Sequence, residues 1–173
     1  GLRPQTPSTK MRPVIGRHLG RDASVTAGLM PQTDRCMLRA FREWAAEASD
    51  EATLLASIMT APPEPFVPAE LVGQKVVVLL GCWCGDLDAG ADALAPLRTL
   101  GPALDHFGPV PYPVLQSMLD GAAPAGLRNY YRGGYLAELT DDVIAVALRH
   151  GARLPSPMSQ IHFHQMGGEV GRT

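Results

Sequence analysis

The chain has 173 residues, 46% of them hydrophobic, and a formal net charge of −2 at pH 7. That is one domain's length with enough apolar side chains for a real core, and a mean hydropathy of +0.01 reads as soluble and globular. The charge balance excludes an overall basic nucleic-acid surface, no apolar run approaches the roughly 20 residues of a membrane span, and three cysteines are too few for a disulfide framework, so a reduced, cytoplasmic setting is expected.

Residues 1–22 show no period and carry Arg3, Lys10, Arg12, Arg17 and Arg21 against Asp22. They read as a basic, poorly ordered tail. The tail has no aromatic residue to stack a base and no apolar signal core, so neither a nucleic-acid arm nor a secretory leader is expected. Residues 23–173 read as a single α+β domain.

Val25, Ala27 and Leu29 alternate with Ser24, Thr26 and Gly28, which predicts a strand over 23–30. Over 34–48, Met37, Phe41, Trp44, Ala45 and Ala48 recur at helical spacing, with Arg35, Arg39, Arg42 and Glu43 facing away. Cys36 falls in the first turn of that helix, with no base near it in sequence, and reads as inert. A second strand is expected over 51–60, then a proline-rich loop over 61–73. Residues 75–84, KVVVLLGCWC, are apolar on both faces and belong in the middle of a sheet. Within them Cys82 and Cys84 point the same way. They lack the CxxC loop of zinc and redox pairs, so both thiols are expected to pack in the core and no metal is expected.

A helix is predicted over 88–100, with Leu94, Leu97 and Leu100 inward and Pro96 shortening or kinking it. An irregular insertion then spans about 101–139, with a short helix over 113–120. It contains all four tyrosines, Tyr112, Tyr130, Tyr131 and Tyr135, together with Gln116, Asn129, Arg128 and Arg132. Rigid aromatic faces beside planar cations suit a ring-shaped or anionic small molecule; the alternative is tyrosines that cap a core with their hydroxyls in water. Thr140 caps a helix with Asp141 and Asp142 in its first turn and Arg149 and His150 near its end, the charge order the helix dipole favours. Residues 160–165 close the series as a strand, Ile161 and Phe163 on one side, His162 and His164 on the other.

Strand, helix, two strands, helix, insertion, helix, strand suggests a split βαβ, ferredoxin-like antiparallel sheet with helices on one face. His162 and His164 then lie on the uncovered face. They lack a nearby carboxylate for a metal site, which leaves contact with a substrate or partner, or plain surface histidines.

FREWAAEASDEAT (41–53), the run from Cys82 to Asp105, PYPVLQSMLD (111–120), LRNYYRGGYLAELTDD (127–142) and PSPMSQIHFHQMGGEVGR (155–172) occur in one order. Taken together, they resemble the substrate-binding half of FAD-linked oxidases of the berberine-bridge type, within the vanillyl-alcohol-oxidase superfamily. The resemblance implies hydride transfer from a small-molecule substrate to FAD, with the open sheet face over the flavin ring. It assigns substrate contacts to Tyr112, Gln116, Asn129, Tyr130, Tyr131, Arg132 and Tyr135. Arg132 stands where the family commonly has lysine, and Gly133 where it has serine. The family's FAD-binding domain, its Gly-rich loop and its later residues have no counterpart in this sequence. The expectation is therefore a truncated substrate domain, inactive alone, with a bare apolar face that pairs with an FAD-binding domain or forms a homodimer. A stand-alone ferredoxin-like module that binds a ligand or partner without redox activity is the alternative.

Overall fold

Lys75–Trp83 (β3) occupies the centre of the sheet, where a sequence apolar on both faces must go. The computed structural model describes residues 22–31, 35–105, 108–117 and 125–171; of 22–31, Tyr112, Leu115, Gln116 and Glu169 it describes the backbone. Residues 1–21 of the basic tail lie outside it.

Asp22–Pro31 (β1) pairs antiparallel with one side of β3, from Ser24 opposite Trp83 to Pro31 opposite Val76. Ala52–Thr60 (β2) pairs antiparallel with the other, from Ala52 opposite Trp83 to Thr60 opposite Lys75. The far edge of β1 carries two short antiparallel strands, Leu104–Asp105 (β4) and Gly108–Pro111 (β5). Ile161–His164 (β6) adds antiparallel to the far edge of β2. The order is β4-β1-β3-β2-β6, with β5 sharing the β1 edge.

The fold is α+β and its β4-β1-β3-β2 order is that of a ferredoxin-like sheet. One placement differs from the sequence reading. The fourth strand of that core comes from within the 101–139 stretch, and residues 161–164 extend the opposite edge. β4 is only two residues long, too short for a sequence pattern, and Pro109 and Pro111 hid β5 beside it; proline lacks the N–H of a ladder and is tolerated only on an edge, where β5 lies.

Arg35–Glu47 (α1), Leu87–Arg98 (α2) and Asp141–Gly151 (α4) cover one face; Tyr112–Ser117 (α3) and Gly168–Gly171 (α5) are short. Met37, Leu38 and Phe41 of α1, Leu94 and Leu97 of α2, and Ile144 and Ala147 of α4 meet Leu54, Ala56 and Ile58 of β2 and Val77 and Leu79 of β3 in one core. The helix starts are fixed by caps. Asp86 accepts from the N–H groups of Asp88 and Ala89 at 3.1 and 3.0 Å, and Thr140 Oγ1 from that of Val143 at 3.3 Å. Trp44 Nε1 donates to Ala93 O at 2.7 Å and ties α1 to α2. Arg39 and Arg42 reach Asp141 at 2.6 and 2.8 Å and tie α1 to α4.

The other face is not wholly bare, which corrects the expectation of an uncovered sheet. The 61–74 connection folds back over it, and Val67 and Leu71 bury Ala61, Val76 and Val78, with Met59, Leu80 and Leu104 packed around them. Gly73 has φ +79°, a left-handed turn that lets its N–H donate to Ala61 O at 2.9 Å and close the connection. Part of the face expected to be bare is thus covered, with Leu55 and Leu80 half-buried beside the cover. The large exposed apolar side chains among the described residues include Phe66 and Val72 of this connection and Tyr130, Tyr131, Tyr135 and Leu136 of the tyrosine-rich segment.

Candidate functional site

Alternation along β6 decides which way the histidines point. Ile161 and Phe163 are half-buried against the helix-side core, so His162 and His164 project, exposed, from the opposite face. Their ring centroids are 5.8 Å apart with planes inclined by 34°. His162 Nε2 pairs with Gln160 Oε1. The amide oxygen can only accept, so the neutral ring carries its proton on Nε2 and offers Nδ1 as an acceptor. Although the residue is exposed overall, desolvation of its ring by neighbouring groups, and then the nearby charge of His164, hold the His162 pKa below the ordinary histidine value. At neutral pH this is an uncharged, acceptor-bearing imidazole on the helix-free face.

Ser57 completes the row. It stands opposite His162 on one side and Val78 on the other, and it is 2% exposed. Its Oγ has no hydrogen-bond partner. A buried hydroxyl in that state costs about 1–3 kcal/mol, so it is a polar group waiting for one. Sequence reasoning missed it, although a lone small polar residue inside ATLLASIMT, two places from each of Leu55 and Met59 on the same face, was the available signal.

Cys82 and Cys84 lie on this same side of β3. Both are half-buried rather than packed in the core as expected, because the covering 61–74 connection stops over Val76 and Val78. Their sulfurs are 3.6 Å apart. Among the described residues no three metal-binding side chains come together.

The tyrosine-rich segment stands exposed: Tyr130, Tyr131 and Tyr135 are 87, 80 and 89% exposed, and Asn129 and Arg132 are exposed beside them. Arg42 Nη1 donates to Leu139 O at 3.3 Å and fastens the end of this strap to α1. Tyr112 and Gln116 begin and nearly end α3; their side chains lie outside the described part. At the end of β6, Asp50, Ala52, Thr53, Met166, Gly167, Gly168 and Val170 enclose a recess of about 180 Å³ with Gln165. That is smaller than the roughly 300 Å³ at which small-molecule pockets begin. Gln165 itself is committed to structure, accepting from Leu54 N–H at 3.3 Å and donating to Leu54 O at 3.0 Å.

FAD offers two groups to test against this surface. The part of the helix-free face beside the 61–74 connection, with its imidazoles and half-buried Leu55 and Leu80, suits the edge of a planar ring. The described N-termini of α2 and α4 offer the pyrophosphate no comparable place. A helix N-terminus is the usual anion cradle, and those of α2 and α4 are already filled by Asp86 and Thr140 and guarded by Asp88, Asp141 and Asp142.

No protein-family model matches the chain. An FAD-linked oxidoreductase of Dictyostelium discoideum is 26% identical to it over 129 residues. The likeness is to an FAD-linked oxidoreductase. It covers 72% of this chain and 28% of that protein, so the chain spans little more than a quarter of its FAD-linked relative. It reaches FAD-linked oxidoreductases as a class and not the berberine-bridge type. Among the described residues no helix is long and apolar enough to cross a membrane.

Proposed function

We propose that the chain is the substrate-binding part of an FAD-linked oxidoreductase of the berberine-bridge type, acting on a small molecule. The observation that carries this reading is the pair of imidazoles on the helix-free face of a sheet whose sequence is similar to an FAD-linked oxidoreductase. The flavin, when bound, supplies the acceptor for a hydride from the substrate. What this chain contributes is orientation. His162 Nδ1 accepts a hydrogen bond from a substrate hydroxyl, and His164 lies within reach of the same group. The strap brings aromatic faces from Tyr130, Tyr131 and Tyr135, an amide from Asn129 and a cation from Arg132. Tyr112 and Gln116 belong to the same surface in this reading. The pyrophosphate is held by a flavin-binding domain outside the described residues, and the helix-free face is where that domain docks.

The test is resonance mapping with riboflavin 5′-phosphate, which carries the ring without the dinucleotide. In NMR spectra of the chain, millimolar ligand should shift the His162 and His164 ring signals and the Leu55 methyl signals, and leave the outer side of α4 unmoved. Shifts confined to other surfaces, or no shifts, would overturn the reading.

A further inference from the structure

Cys82 and Cys84 take no part in the reading above, yet they are held in a defined relation. Residues i and i+2 of a strand share a face, and here Cys82 is fixed between Val25 of β1 and Thr53 of β2. Cys84 N–H donates to Glu51 O at 2.9 Å. The residue between them, Trp83, is 5% exposed on the helix side and donates from Nε1 to Asp86 O at 2.7 Å. The backbone under the two thiols is therefore locked on both faces. Their sulfurs sit 3.6 Å apart. A disulfide needs about 2.05 Å and a pinched pair of Cα atoms, which the strand opposes. A tetrahedral centre with metal–sulfur bonds of about 2.3 Å separates two of its sulfurs by about 3.8 Å. The observed spacing is that of two thiols sharing an S–H···S hydrogen bond; it lies close to the sulfur–sulfur edge of such a centre and far from a disulfide.

We propose that Cys82 and Cys84 form a two-thiolate chelate for a thiophilic divalent ion of the zinc and cadmium kind. Binding releases both thiol protons as the two metal–sulfur bonds form, with no change of oxidation state. Among the described residues no group of three metal-binding side chains forms around the pair, so the chelate is confined to the two sulfurs. The hydrogen bond to Cys84, and then burial, push the Cys82 thiol pKa up. A raised thiol pKa opposes deprotonation, so a metal ion has to displace protons held more firmly than those of an ordinary thiol. Cys36 is exposed on α1, across the sheet, and serves as an internal control.

The experiment is cadmium titration of the reduced chain, read by the ultraviolet thiolate-to-cadmium charge-transfer band. One equivalent should saturate the band in the wild type and in C36S, and neither C82S nor C84S should give it. A band that survives in C82S or C84S, or that disappears in C36S, overturns the proposal. Wild-type protein alone provides a second readout that does not depend on variants folding. Bound cadmium should protect Cys82 and Cys84, and not Cys36, from alkylation mapped by mass spectrometry. Equal labelling of all three with and without cadmium would sink the idea.

Discussion

Gly90 sits in α2 at a position where two known effects of alanine oppose each other. In an open helix, glycine to alanine gains about 0.8–1 kcal/mol from propensity. Here a Cβ at Gly90 would lie 2.6 Å from Cδ1 and 2.7 Å from Cγ of Trp83, where carbon atoms prefer about 3.5–4.0 Å. The indole cannot swing clear. It is buried, and its Nε1 is bonded to Asp86 O, the residue that caps the same helix. Overpacking of a fixed core ring costs about 1–3 kcal/mol, and a lost indole hydrogen bond adds about 0.5–1.5 kcal/mol. Set against the propensity gain, Gly90→Ala should destabilise the chain by about 1–3 kcal/mol. Urea unfolding would show this as a lower midpoint with an unchanged slope, and thermal unfolding as a fall of roughly 2–4 °C per kcal/mol. Combining the change with Trp83→Phe should recover part of the loss. A midpoint that rises in Gly90→Ala would refute the packing argument, because propensity alone would then be acting.

Three further outcomes follow from the same kind of reasoning. Ser57→Ala removes a buried hydroxyl that has no partner, so the unfolding free energy from urea titration should stay level or rise by up to about 1 kcal/mol; a clear loss would reveal a bond the hydroxyl makes in solution. Hydrogen bonds from Arg39 and then Arg42 hold the Asp141 pKa below its ordinary value. Its contribution is therefore complete above about pH 4, the unfolded value, and is lost as pH falls through the lower folded one. The melting advantage of wild type over Asp141→Asn should shrink below that pH and also at high salt. His162 has a folded pKa below its unfolded value of about 6.5, so its contribution is present above that pH and declines as pH falls toward the folded value. An NMR titration midpoint at or above the ordinary value would contradict this, as would an unchanged pH slope of stability in His162→Gln.

The parts of this fold that were legible in sequence are those where periodicity and caps agree. α1 and α4 follow from their apolar spacing, with Thr140 and the acidic first turn marking where α4 begins. β3 follows from an unbroken apolar run that only a central strand can bury. The facing of His162 and His164 follows from alternation with Ile161 and Phe163. What was hidden depends on contacts remote in sequence. β4 is two residues long, β5 contains Pro109 and Pro111, and both exist only because β1 offers them an edge. The burial of Val76 and Val78 depends on a loop returning over the sheet, and loops have no period to read. The orphaned hydroxyl of Ser57 and the sulfur spacing of Cys82 and Cys84 are three-dimensional facts with only a faint trace in the letters.

The anchoring of the strap at Leu139 has a geometric consequence for its tyrosines. A fully extended chain covers at most about 3.6 Å per residue. Tyr135, four residues before Leu139, is thereby confined within about 14 Å of the junction between α1 and α4. Tyr130, nine residues before it, has a radius of about 32 Å. The sheet, five strand positions wide, measures roughly 19 Å across. Arg42 therefore acts as a leash post: it gives Tyr130 a radius wider than the sheet while holding Tyr135 beside the helices.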